Sequence, residues 1–325
     1  MPPIPRPRRP ARPGRSARAS QARIVVLGDL MLDVVLAPAA PLRSGTDVPG
    51  HVRLVQGGSA ANTARWLARL GARSTLIAAV GRDATGRALV EALRADGVRP
   101  HVARVAGART GRIGVVVAPG GERSFVADRA AADLIAPDDL RASWFDGADA
   151  LHLPVYSLLG EPLGRAGHRA IELARLAGAS VSVDLASIGP LLAAGRRSAQ
   201  ALIADVAPDL LFATASEADA FLGGRSVEGL LDIAATAVVK RGPKGATVLT
   251  RLGSGRTRFE VATEQLTVAD STGAGDAFDA GFLVGWFAAR ASGRSLAASL
   301  QRAAIVGHRT AARQLTSQRP ELSLG

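Results

Sequence analysis

Short apolar runs alternate along the chain with longer segments whose apolar residues recur every three or four positions, and glycine marks many of the breaks. Arg23 to Leu27 is a run of buried-strand type ending at Gly28. A polar stretch with proline and glycine follows from Ala37 to Gly50, and His51 to Val55 reads as a strand ending at Gly57-Gly58. From about Ala60 to Leu70 the residues Ala64, Leu67 and Ala68 share a helical face, and Gly71 is placed to stop the helix. Ser74 to Val80 reads as a strand. Asp83 caps the next predicted helix, which carries Leu89, Val90 and Leu93 and stops at Gly97. Ile113 to Val117 and Ser124 to Ala127 read as strands around the turn Pro119-Gly120-Gly121-Glu122, a hairpin pattern.

From about Ala148 the rhythm is strand and helix in turn. Strands are predicted at Ala150–Leu153, Ser180–Asp184, Leu210–Ala213, Ala237–Arg241 and Ala246–Thr250. Helices are predicted at about Leu163–Leu176, Ser216–Leu222, Asp276–Arg290 and Leu296–Gln314. Such alternation argues for an α/β fold, a mostly parallel central sheet with helices on both faces. The segments at about 35–56 and 109–128 break the rhythm and read as a small β element above the main sheet. No internal repeat is present.

Composition sharpens this picture. The 325 residues suffice for one large α/β domain or two small ones, and 47% hydrophobic against 4% aromatic residues means a core of Ala, Val, Leu and Ile. The lack of cysteine excludes disulfides and thiolate metal sites, and fits a cytoplasmic location. The formal charge of +12 points at first to nucleic acid. Seven arginines, however, fall within residues 1–23 (Arg6, Arg8, Arg9, Arg12, Arg15, Arg18 and Arg23), which leaves +5 on the rest. Residues 1–22 are also rich in Pro, Ser and Ala, so they are expected to be a disordered tail before a folded body at 23–325. No aromatic interleaves the arginines, which makes stacking on nucleic acid unexpected. Asp29 and Asp33 interrupt the first apolar run, against a secretory signal, and no apolar stretch approaches the ~18 residues of a membrane span. His51, His101, His152, His168 and His308 show no metal-ligand spacing.

The stretch that carries chemistry is Asp270-Ser271-Thr272-Gly273-Ala274-Gly275-Asp276. It follows a strand-like run, Gln265 to Val268, and precedes a helix with Phe278, Phe282, Trp286 and Ala289 at spacings of three and four. A loop of two glycines and an alanine therefore sits at a helix N-terminus, where unpaired N–H groups and the helix dipole favour an anion such as phosphate. Asp276 lies in the first turn, placed to accept a proton from an attacking hydroxyl. The helix start is expected to keep its pKa low and make it a weak base, which suits phosphoryl transfer.

Gly273-Ala274-Gly275-Asp276, with the flanking Asp-Ser-Thr and Ala-Phe, resembles the C-terminal signature of the ribokinase-like (PfkB) carbohydrate kinases. Gly57-Gly58-Ser59-Ala60-Ala61-Asn62-Thr63-Ala64, running on through Leu70-Gly71 and Gly81-Arg82-Asp83 to Gly86, resembles that family's N-terminal signature. The resemblance extends over roughly Arg23 to Thr316. It implies a ribokinase-like three-layer sandwich with a small β-sheet lid, formed by the segments at about 35–56 and 109–128. It also implies ATP-dependent phosphorylation of a sugar-like hydroxyl. Asp276 would be the base, and the backbone from Gly273 through Ala274 and Gly275 the anion hole.

On the substrate side, Asp33 follows the first strand and can accept hydrogen bonds from two vicinal hydroxyls, as an Asp at this spacing does in the resembling family. Gly57 and Gly58 let the backbone approach a sugar, and Asn62 can donate and accept. Arg129 is expected to be solvated in so Arg-rich a chain. Asp184 ends a strand, but Ala186 and Ile188 stand where relatives that prefer fructose or ketodeoxygluconate have Asn and Arg. On the nucleotide side, Thr214 stands where the family has Asn, and Glu217 matches the acid expected to organise Mg²⁺ or its waters. A weaker hold on ATP is expected from Thr214. Lys240, Gly242, Lys244 and Gly245 resemble the loop along the nucleotide. Lys240 and Lys244, the chain's two lysines, are candidates to meet a phosphate. Asp270 and the carbonyl of Thr272 are candidates for a monovalent cation such as K⁺. The alternatives are a nucleoside kinase of the same fold, a catalytically silent sugar-binding relative, and nucleic-acid binding by the arginine tail. A homodimer through the lid strands is a further expectation.

Overall fold

The computed structural model describes residues 21–118, 122–253, 255–266 and 271–324. The expected tail through residue 20, the turn at 119–121, and Asp270 lie outside the described residues. The first half runs β1 (Arg23–Leu27), β2 (Met31–Pro38), β3 (Gly50–Gly57), α1 (Ser59–Arg69), β4 (Arg73–Gly81), α2 (Ala84–Ala95), β5 (Arg99–Val105), β6 (Arg112–Val117) and β7 (Arg123–Asp128). The second half runs β8 (Ala150–Pro154), α3 (Leu163–Leu176), β9 (Ser180–Asp184), α4 (Ile188–Leu192), α5 (Arg196–Val206), β10 (Leu210–Thr214) and α6 (Ala215–Leu222). It ends with β11 (Thr236–Lys240), β12 (Ala246–Leu252), β13 (Gly255–Val261), α7 (Ala274–Ala291) and α8 (Leu296–Thr316).

Nine strands form one sheet in the order β13-β12-β11-β10-β9-β8-β1-β4-β5. Its pairings are parallel from β11 to β5 and antiparallel at β11–β12 and β12–β13. Successive residues of the central strands point to opposite faces, and both faces are covered. Val25 and Leu27 join a core with α3, α5 and α6, whereas Ile24 and Val26 join one with α1, α2, α7 and α8. Two covered faces explain why these strands read as unbroken apolar runs. A second sheet of four strands, in the order β3-β2-β6-β7, stands apart from the first. Its small core is Val35, Val55 and Val115.

Where the structure differs from the sequence reading, the reason is local. β5 and β13 were not anticipated. They are the two edges of the large sheet, and with polar residues toward solvent they lack the apolar run of a central strand. α5, with Arg196, Arg197 and Gln200 among its residues, buries Ala199, Ile203 and Val206 and was likewise missed. Of the strand-like run at Gln265, residues Gln265 and Leu266 are irregular and the rest lies outside the described residues. Asp83 does cap α2, its Oδ1 accepting the Gly86 N–H at 2.7 Å.

Candidate active site

Two segments more than two hundred residues apart meet at the start of α7. The Gly57-Gly58 turn ends β3 and opens α1, and its tightness dictates glycine. A Cβ on Gly57 would lie 1.8 Å from Asp33 Oδ1, and Gly58 has φ of +96° with a Cβ position 2.5 Å from the Asp29 carbonyl. The first turn of α1 then faces the first turn of α7. Ser59 Oγ donates to Asp276 Oδ1 at 2.7 Å, and Asn62 Nδ2 donates to Asp276 Oδ2 at 2.9 Å. Gly273, with φ of +76°, caps α7, whose first internal bond runs from Ala277 N–H to the Gly273 carbonyl. The Ala274 N–H turns back to the Ser271 carbonyl at 3.2 Å. By the geometry of a helix start, this leaves the Gly275 and Asp276 N–H groups for an external acceptor.

The expectation of a low pKa at Asp276 is corrected. Burial pushes it up to about 7, against the hydrogen bonds from Ser59 and Asn62; Asp184 adds to the rise and Lys240 opposes it. Loss of hydration therefore outweighs the helix start, and the carboxylate becomes a better base than its position suggests.

Beneath this turn lies a charged cluster that the sequence reading only partly saw. Lys240, at the end of β11, was expected to meet a phosphate. Its Nζ is held at 3.1 Å by both Asp184 and Asp279, close to where a Cβ on Gly275 would sit, 3.5 Å away. Asp184 and the other neighbouring carboxylates hold the Lys240 pKa above its ordinary value despite burial, whereas burial and the Asp184 charge raise that of Asp279. Asp279 is fully buried one turn after Asp276 and was missed. An acid three residues beyond another on an otherwise apolar helix was the available signal.

Thr214 and Glu217 cap each other at the start of α6. Thr214 Oγ1 accepts the Glu217 N–H at 3.2 Å, and Glu217 Oε2 accepts the Thr214 N–H at 2.7 Å. Burial, and then the charge of Asp184, raise the Glu217 pKa. Gly242 and Gly245 shape the turn after β11, with Lys244 exposed on it. The Thr272 carbonyl accepts from Gln314 Nε2 at 3.0 Å.

Asp33 is buried in β2, and its Oδ2 is paired with Arg319, from the segment after α8. No sequence signal marked Arg319. The solvated reading of Arg129 is also corrected: it pairs with Asp29 at 3.2 Å and with Asp133, and it stacks over Tyr156 at 4.6 Å. Asp29 is further engaged by the Ala60 N–H at 3.0 Å, so it anchors the start of α1.

The family model for "pfkB family carbohydrate kinase" matches residues 21–322. The fructokinase of Solanum tuberosum is 31% identical over 268 residues, covering 80% of this chain and 79% of that protein. Fructokinase-1 of Oryza sativa subsp. japonica is also 31% identical over 268 residues, with 78% and 80% covered. Among solved structures, adenosine kinase from Sinorhizobium meliloti superposes with a TM-score of 0.78 at 23% identity, covering 94% of this chain and 98% of that one. Fructokinase from Vibrio cholerae O395, solved with fructose, ADP and calcium ion, gives 0.75 at 23%, covering 92% and 94%. The structural likenesses establish the fold. The family match spans both glycine motifs and nearly everything between the chain's ends, so this chain belongs to the pfkB family of carbohydrate kinases.

Proposed function

We propose that this kinase transfers the γ-phosphoryl group of ATP to a hydroxyl of a sugar or sugar-like molecule with Asp276 as general base. The observation that carries the reading is the placement of the Asp276 carboxylate beside the N–H groups of Gly275 and Asp276, with Ser59 and Asn62 from the other glycine motif fixing its direction. The acceptor hydroxyl gives its proton to Asp276 as its oxygen bonds to the γ-phosphorus, and the bond to the β-phosphate oxygen breaks to release ADP. The Gly275 and Asp276 amides stabilise charge on the transferring group, whereas the Ala274 amide, expected to share this role, is bonded to the Ser271 carbonyl. Asp33, Gly57, Gly58 and Asn62 hold the acceptor. Thr214, Glu217, Gly242 and Gly245 lie along the nucleotide, and Lys240 supports the turn from beneath through Asp279.

Mg²⁺ fits the residues present. Burial and the charge of Asp184 raise the Glu217 pKa, a repulsion that a divalent cation would relieve, and among the described residues no three acids or histidines close into a metal cage of their own. Glu217 would hold the ion, largely through water, and the ion would neutralise phosphate charge. K⁺ at Asp270 and Thr272 is a second metal reading, and titrating activity with KCl tests it. The four-stranded sheet acts as a lid and, in this reading, as the face of a homodimer. A cytoplasmic location accords with the lack of cysteine, and among the described residues no helix is long and apolar enough to cross a membrane.

The deciding experiment is an ADP-release screen over pentoses, hexoses, sugar acids, sugar phosphates and nucleosides, run beside Asp276→Asn. Turnover that survives this substitution would remove Asp276 from the mechanism. Preference for a nucleoside would assign the chain to the nucleoside-kinase alternative.

A further inference from the structure

Beside Asn62, a cavity of about 40 Å³ opens between α1 and the segment after α8. It is lined by Gln56, Asn62, Arg65, Arg69, Gln314 and Arg319 among others. Arg65 is 6% exposed. Its Nη1 donates to Asn62 Oδ1 at 2.9 Å and its Nε lies 3.6 Å from Asp96 Oδ2, but Nε and Nη2 are buried with no hydrogen-bond partner. Burial pulls the Arg65 pKa down to about 10, so the guanidinium stays charged while short of partners. Arg319 reaches the same cavity and pairs with Asp33 Oδ2, while Asp33 Oδ1 is buried and unpartnered. Arg65, Arg69 and Arg319 face two carboxylates, Asp96 and Asp33, so the cluster carries surplus positive charge.

A buried cation with unused donors is costly unless an anion meets it. We propose that the acceptor is an anionic polyol whose carboxylate binds between Arg65 and Arg319 while its far hydroxyl lies at Asp276. This rests on the kinase reading above. Three features support it. Asn62 bridges the two ends, bonding Asp276 through Nδ2 and Arg65 through Oδ1. Arg65 Nη1 and Asp276 Oδ2 are thus at most roughly 8 Å apart, two hydrogen bonds and the width of an amide, a separation that a hydroxy acid of about six carbons can span alongside the Asn62 side chain. Arg319 neutralises Asp33, which would otherwise repel an anionic acceptor, and leaves Oδ1 for a hydroxyl. The cavity is about three times the ~10–15 Å³ that one water needs, the scale of a carboxylate rather than a phosphate.

The test uses the full chain. kcat/KM is measured for C5 and C6 aldonates, for the matching alditols, and for hexose phosphates, in wild type, Arg319→Gln and Arg65→Gln. Aldonates should exceed alditols, and Arg319→Gln should cut that ratio about tenfold to hundredfold, chiefly through KM, because a charge-assisted bidentate contact is lost. Arg65→Gln should do the same if it folds; if not, Arg319→Gln carries the test. A purely structural role for either arginine would lower activity with aldonates and alditols alike, and a role of Arg319 confined to screening Asp33 would let Asp33→Asn in the Arg319→Gln background restore the preference for aldonates; either result overturns the inference. Hexose phosphates as best acceptors would overturn the assignment to a carboxylate. A thermal shift with sodium gluconate against glucitol reads binding without turnover, and no difference between them sinks the proposal. Asp276-dependent turnover of neutral sugars alone would sink it too, leaving the kinase reading intact.

Discussion

A carboxylate that gives up its hydration on folding and regains two hydrogen bonds, as Asp276 does, holds its proton more tightly in the folded chain than in the unfolded one. Its pKa rises from the ordinary 3.8 to about 7, so between those values the folded state binds more protons and stability falls as pH rises. Asp276→Asn should therefore be the more stable protein at pH 8, by about 1–2 kcal/mol once partial exposure is discounted. A Tm higher by about 2–4 °C at pH 8, with no gain at pH 4, is the expected calorimetric result. The same variant should lose about 10³-fold or more in turnover, and wild-type kcat/KM should climb through pH 7 as the base ionises. Lys240 offers the opposite case. Lys240→Met would strand Asp184 and Asp279 together and should cost about 3–5 kcal/mol, read by urea denaturation. The place of Asp276 in the first turn of a helix was legible in sequence because it depends on immediate neighbours, Gly273 to Gly275. The pairing of Lys240 with Asp279 was not, because an ion pair spanning 39 residues exists only after β11 and α7 pack. Arg319 was hidden for the same reason, lying 286 residues from Asp33.

α6 begins with a reciprocal cap, and its N-cap residue, Thr214, also stands at the expected nucleotide site. Thr214 can therefore be changed in a way that separates the two roles. Thr214→Asn keeps a side-chain oxygen for the Glu217 N–H, since Asn caps as well as Thr, but reaches further toward a phosphate. It should leave Tm within about 1 °C and lower the KM for ATP. Thr214→Ala should instead cost about 1 kcal/mol through the lost cap. If wild type already has the lower KM, the supposed handicap of Thr214 is refuted. Most elements could be read from the chain because central strands such as β8 to β11 are covered on both faces and advertise it with apolar runs. β5 and β13 could not, because the polar alternation of an edge strand resembles that of a loop. The small sheet was anticipated from strands that broke the βα rhythm, although β2 begins at Met31, ahead of the expected segment.

The two edges of the small sheet are not alike, and this bears on assembly. The β3 edge is partly occupied, because the Leu322 N–H donates to the Leu54 carbonyl at 2.7 Å and Val55 bridges Glu321. The β7 edge is not paired to another strand among the described residues, and it carries Phe125 at 59% and Val126 at 71% exposure, with Val52 of β3 at 66% on the same sheet. An open edge with exposed apolar side chains favours pairing with a second sheet. The core of this sheet, three valines, is too small to justify those residues by internal packing. In light scattering the chain should therefore run near twice its 33.3 kDa. Val126→Lys with Phe125→Asp should return it to one chain while leaving the large sheet's unfolding transition in place. Because Asp33 lies on β2, within the same sheet, that variant should also raise the KM for the acceptor more than the KM for ATP. A wild-type chain that already runs as a monomer would reject pairing through β7, and the exposed side chains would then need another occupant.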